Sequence, residues 1–159
     1  MDRHLRPPLF DPEEAATQAG VDVSYWAHLP YLGLYTRHEG RGFVALRADL
    51  EHSSSERLRR VVLAHELAHH ALHVGVYTNP FHCRRDELAT SHVEAQAERW
   101  VAERLCPLAL IRDAIALWGH IGGEEIADLA DLARVPDAFV TWWLADLRQR
   151  GMLLAPRLC

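Results

Sequence analysis

His65-Glu66-Leu67-Ala68-His69 constrains this chain more than any other stretch. Read as helix, the spacing of four sets two imidazoles one turn apart on one face, with a carboxylate beside the first. This H-E-x-x-H arrangement binds zinc and activates a water. The chain holds 11 His and 12 Glu among 159 residues, so roughly 0.06 such matches arise by chance and the surroundings must decide. Ser53-Ser54-Ser55-Glu56 reads as a helix start, with Ser53 as cap and Glu three residues on. Leu58–Ala64 leads straight into the motif, and Gly75 reads as a stop, so the helix is expected from about Ser55 to Val74. From Val61 to Leu72 nearly every position outside the motif is apolar, which marks a central, buried helix. Two histidines and a glutamate buried there need partners or cost several kcal/mol, and a metal is the economical one.

The length of 159 residues suits one domain with a real core. Apolar content of 49 % and a net charge of −5 describe a globular protein with no electrostatic footprint for nucleic acid. The N-terminal Met1–Pro8 has no apolar stretch for a signal peptide, and no run is long enough to span a membrane. Cys83, Cys106 and Cys159 are odd in number and unpatterned, so no disulfide framework is implied. These features lead to a cytoplasmic expectation.

Asp11-Pro12-Glu13-Glu14 opens a short helix that Gly20 ends. Leu32–Thr36 and Phe43–Leu46 read as strands, and the polar connection Arg37–Gly42 with its two glycines predicts a hairpin. Val21–Tyr25 alternates and adds a third strand. After the motif helix, Gly75–Glu87 reads as a loop. A second long helix is expected over about Ser91–Leu105, ended by Pro107. Further helices follow at about Leu108–Leu117, Glu124–Ala133 and Pro136–Arg150. The expected class is α+β and mostly helical: a small N-terminal antiparallel sheet of two or three strands packed on the H-E-x-x-H helix, then a helical C-terminal part. One domain over 1–159 is expected, with a core at about 21–107 and the C-terminal helices at about 108–150.

A catalytic zinc takes three protein ligands and a water. His65 and His69 supply two. His70 lies about 140° round the helix, and His73 lies about 12 Å along its axis from His65, so neither shares the metal. A metzincin would need glycine at 72 and histidine at 75, where this chain has Leu72 and Gly75. The remaining candidates are His82, Cys83, His92, Glu94 and Glu98. Glu94 lies on the second long helix and shares a face with Ala97 and Val101, so small Ala97 would allow close approach to the motif helix. That layout is like a gluzincin His₂Glu site. Glu98, one turn along, is its main rival, and the soft His82-Cys83 pair is a lesser one.

Three segments resemble the ImmA/IrrE metallopeptidases of bacteria and their mobile elements. Arg59–His69 is similar to that family's approach to its zinc motif, with His73 fitting the run after it. Glu94–Ala102 resembles its E-x-x-A-N-x-F-A segment, with Glu98 in place of Asn and Trp100 in place of Phe. Leu105-Cys106-Pro107 resembles its closing L-M-P. The resemblance covers roughly Val21 to Pro107. It implies one zinc ion held by His65, His69 and Glu94, with Glu66 as the base. It also implies a protease that cuts helix-turn-helix repressors of a phage, mobile element or stress response. The length suggests the short ImmA type rather than the long IrrE type with its added sensor domain.

The expected activity is therefore zinc-dependent hydrolysis of a peptide bond in a protein partner. Tyr77, His82 and His92 are candidates for stabilising the oxyanion. One rival is a metal-containing protein that captures a repressor without cutting it, although such a protein needs no Glu66. Another is a DNA-binding regulator built on the helix-turn-helix-like pair Glu125–Val140. Its second helix would offer Asp137, Ala138, Thr141 and Trp142 to the groove, none of them basic, which argues for packing over DNA recognition.

Overall fold

Asp11 starts the first helix, α1 (Pro12–Ala19), as its sequence predicts. Its carboxylate accepts the N–H groups of Glu13 at 2.9 Å and Glu14 at 3.1 Å, and Gly20 closes the helix with a left-handed φ of 66°. The structure, a computed structural model, describes residues 5–8, 10–72 and 87–153. Three strands follow α1: β1 (Asp22–Trp26), β2 (Gly33–His38) and β3 (Arg41–Arg47). The strands β2 and β3 form the expected antiparallel hairpin. Its turn is shorter than the sequence suggests, because only Glu39 (φ 49°) and Gly40 (φ 82°) lie outside the strands, both left-handed. That pairing of φ values suits a two-residue turn with the twist of the strands. Gly42 belongs to β3.

The expectation of a wholly antiparallel sheet is corrected by β1, which runs parallel to β3, giving the order β1-β3-β2. The segment 27–32 between β1 and β2 skips one strand position, roughly 10 Å. Six residues cover that distance easily. Strand β2 therefore takes the far edge, and the hairpin returns β3 to the middle. The most apolar segment, Phe43–Leu46, thus occupies the one position flanked on both sides, and Val44 and Leu46 are buried.

Two 3₁₀ turns, Ala48–Glu51 and Ser53–Ser55, lead into α2 (Glu56–Leu72). The serines expected to cap the helix form the second of these turns, and α2 starts at Glu56. The expected stop at Gly75 lies outside the described residues. One face of the sheet receives α2, and a core of Tyr35, Val44, Leu46, Leu50, Leu63 and Leu67 forms between them. Arg60, 7 % exposed, ties α2 to the start of α1: it donates to Asp11 Oδ2 and to the Phe10 carbonyl, each at 3.2 Å. The next helix, α3 (Glu87–Leu105), begins one turn before the expected Ser91. Glu87, Leu88 and Ala89 all favour helix, so Ser91 falls inside it. Trp100 of α3 packs on the same core and meets Phe10 edge to face, with ring centroids 5.8 Å apart.

Three helices complete the chain: α4 (Leu108–Trp118), α5 (Gly123–Ala133) and α6 (Asp137–Gln149). Arg134, with φ 55°, ends α5 and leaves a tight Arg134-Val135-Pro136 joint to α6. Trp143 is fully buried and donates its indole N–H to the Cys106 carbonyl at 2.9 Å. The chain divides into two compact units, Phe10–Val101 and Met1–Leu9 with Ala102–Cys159. No helix among the described residues is long and apolar enough to cross a membrane.

Candidate metal centre

The i, i+4 spacing on α2 and the packing of α3 bring His65, His69 and Glu94 together within the first of these units. Their ligand atoms all lie within 4.8 Å of one another. His65 Nε2 is 2.9 Å from Glu94 Oε2, the two Nε2 atoms are 3.2 Å apart, and His69 Nε2 is 3.6 Å from Glu94 Oε1. The donors of a tetrahedral site with bonds of about 2.0–2.2 Å stand about 3.3 Å apart. The separations, taken to one Glu94 oxygen from His65 and to the other from His69, lie on either side of that value. His65 Nε2 faces both Glu94 Oε2 and His69 Nε2 but carries only one proton or one lone pair, so it bonds well to one of them at a time, whereas lone pairs aimed at one cation would all be used. The two-histidine, one-carboxylate set also suits zinc in kind. Residues and group therefore fit.

His69 is 3 % exposed, and His65 and Glu94 are partly exposed, so the cluster lies at the edge of the core with a way in from solvent. Ala97, one turn beyond Glu94, is completely buried. Burial disfavours a charged His65, but Glu94, Glu66 and Glu98 outweigh it and raise its pKa above the usual histidine value.

Glu66 stands beside this cluster and is 7 % exposed. Burial pushes its carboxyl up to about 7, with the negative charge of Glu94 adding to the effect. His65 and a hydrogen bond from the Tyr35 main-chain N–H pull the other way. The group is thus poised to hold or release a proton near neutral pH.

The other sequence candidates separate from the cluster. Glu98 is exposed and acts on His65 only through space; His92 is exposed too. His70 turns to the sheet, where its Nδ1 lies 2.8 Å from the Tyr35 hydroxyl. His73, Tyr77, His82 and Cys83 lie outside the described residues. Two residues that the sequence reading passed over touch the site: Tyr35, and Gly33, against which the Glu66 side chain packs. A lone glycine inside a strand pattern, as in Leu32-Gly33-Leu34, signals close approach of another group and would have pointed there.

Compared with protein-family profiles, the chain matches the one described as Peptidase_M78, IrrE N-terminal-like domain, over residues 16–137. No curated protein matches it.

Proposed function

The chain belongs to the IrrE N-terminal-like family of peptidases, and on that premise we propose that it is a zinc-dependent metallopeptidase that cuts a peptide bond in a protein partner. The observation that carries this reading is the convergence of His65, His69 and Glu94 beside buried Glu66. His65, His69 and Glu94 would hold the metal. A zinc ion bound there supplies Lewis acidity, which lowers the pKa of a water and polarises a carbonyl. Glu66 takes the proton from the attacking water as its oxygen bonds to the carbonyl carbon. As the C–N bond breaks, Glu66 returns that proton to the departing nitrogen.

The substrate class rests on the resemblance of Val21–Pro107 to the ImmA/IrrE peptidases: a helix-turn-helix repressor is the expected partner. Metal analysis of purified protein tests the centre. Wild type and Glu98→Ala should carry one transition metal per chain and Glu94→Ala much less. A metal-free wild type under non-chelating conditions would sink the reading, and loss of metal only in Glu98→Ala would move the third ligand one turn along α3. Incubation with the candidate repressor tests the chemistry. Fragments should appear with wild type and not with Glu66→Ala. Equal release of repressor from DNA by both proteins, without fragments, would mean capture instead of cleavage.

A further inference from the structure

Two periodicities meet at the α2–sheet contact. Gly33 and Tyr35 lie two apart on β2, and by register they share a face with Leu46, Val44 and Gly42 of β3. Val62, Glu66 and His70 lie four apart on α2 and form one ridge. Gly33 and Gly42, the two positions on that sheet face without side chains, lie under the ridge. A β-carbon built on Gly33 would stand 2.7 Å from Glu66 Oε1, 2.9 Å from Glu66 Cγ and 2.8 Å from Val62 Cγ1. One built on Gly42 would stand 2.8 Å from His70 Nδ1. Gly33 has no positive φ, so its backbone accepts any residue and only space requires glycine there. Between the glycines, Tyr35 is 2 % exposed and reaches the ridge through its hydroxyl, 2.8 Å from His70 Nδ1.

We propose that Gly33 is the positioning element of Glu66: the side chain that Gly33 lacks leaves the space in which the carboxylate is held. The proposal rests on the reading of Glu66 as the base of a metallopeptidase. An added methyl group at position 33 has two outlets. The stiff β-branched Val62 gives little, so either the Glu66 carboxylate swings away or the β2 edge lifts off α2. In both cases Glu66 loses its place relative to His65 and His69 while those two, about 100° and 60° round α2 from Glu66, keep theirs.

The test is a double-mutant cycle on the whole chain, read first as melting temperature in chelator. Gly33→Ala should lower it by about 4–8 °C in the native background and by less than half as much in a Glu66→Ala background. Gly123→Ala, whose added methyl meets nothing within 4 Å, reports the general effect of losing a glycine. The second reading is the visible spectrum of the cobalt-loaded protein. Gly33→Ala should keep one cobalt per chain and shift its bands in the same sense as Glu66→Gln. Equal melting losses in both backgrounds, or bands identical in wild type, Gly33→Ala and Glu66→Gln, would overturn the positioning role. A wild type that takes up no cobalt would overturn the metal reading alone, and the melting cycle would still decide whether Gly33 places Glu66.

Discussion

Burial gives Glu66 a proton affinity with a measurable consequence for stability. Its carboxyl titrates near 7 in the folded metal-free protein against 4.5 for the free side chain. Between those values the folded protein binds more protons than the unfolded chain, so this group's contribution is fully present below about pH 4.5 and is lost as pH rises through about 7. The loss is on the order of 3 kcal/mol. Glu66→Gln keeps the shape and removes the titration. Urea midpoints in chelator should therefore show the variant gaining on wild type as pH rises from 5 to 8, and parallel pH profiles would contradict the assigned environment. The same substitution should lower any peptide hydrolysis by about 10²- to 10⁴-fold, while metal content stays at the wild-type level. At this scale the motif was legible because two imidazoles and a carboxylate at H-E-x-x-H spacing need one helical turn and nothing more. Gly33 was far less legible: its meaning lies in a neighbour 33 positions along the chain.

Elements show where local rules suffice. The capped start and glycine stop of α1 follow from Asp11-Pro12 and Gly20, because caps use only atoms a few residues apart. The hairpin followed from its polar, glycine-bearing joint, yet one of its two glycines, Gly42, serves α2 instead of the turn. The turn itself puts Glu39 at φ 49°, a conformation that costs a side-chain-bearing residue about 1–2 kcal/mol. Glu39→Asn, which suits a left-handed turn position, should raise the melting temperature by about 2–4 °C; an unchanged or lower value would show that the turn does not limit stability. The parallel pairing of β1 with β3 was not legible at all. Alternation in Val21–Tyr25 says that a strand exists, and the direction of its partner is set by how segment 27–32 crosses the sheet.

For the molecule as a whole, two features outside the candidate metal centre carry predictions. Trp143 is the largest fully buried side chain and donates to the Cys106 carbonyl. Trp143→Phe opens a cavity and leaves that carbonyl unpaired, so a loss of about 2–4 kcal/mol in urea unfolding is expected. The α5–α6 pair has the outline of a helix-turn-helix, but Asp137, Ala138 and Thr141, exposed along the first turns of α6, bear no positive charge, and the chain carries a net charge of −5. A gel shift with duplex DNA at about 50 mM salt should show no retardation; a salt-sensitive shift would contradict the packing role of the pair. The sequence by itself determined what depends on neighbours in the chain: the i, i+4 spacing of His65 and His69, the carboxylate of Glu66 beside them, and most helices and turns. It also pointed to Glu94 as the third ligand, with Glu98 one turn along as its rival, because helical periodicity projects regularly over many residues. Only the tertiary structure brought Glu94 to the histidines and left Glu98 exposed, turned His70 to Tyr35, and put a glycine against Glu66. Those outcomes depend on how far one element slides along another, a distance set by side-chain packing across the core and recorded in no local stretch of sequence.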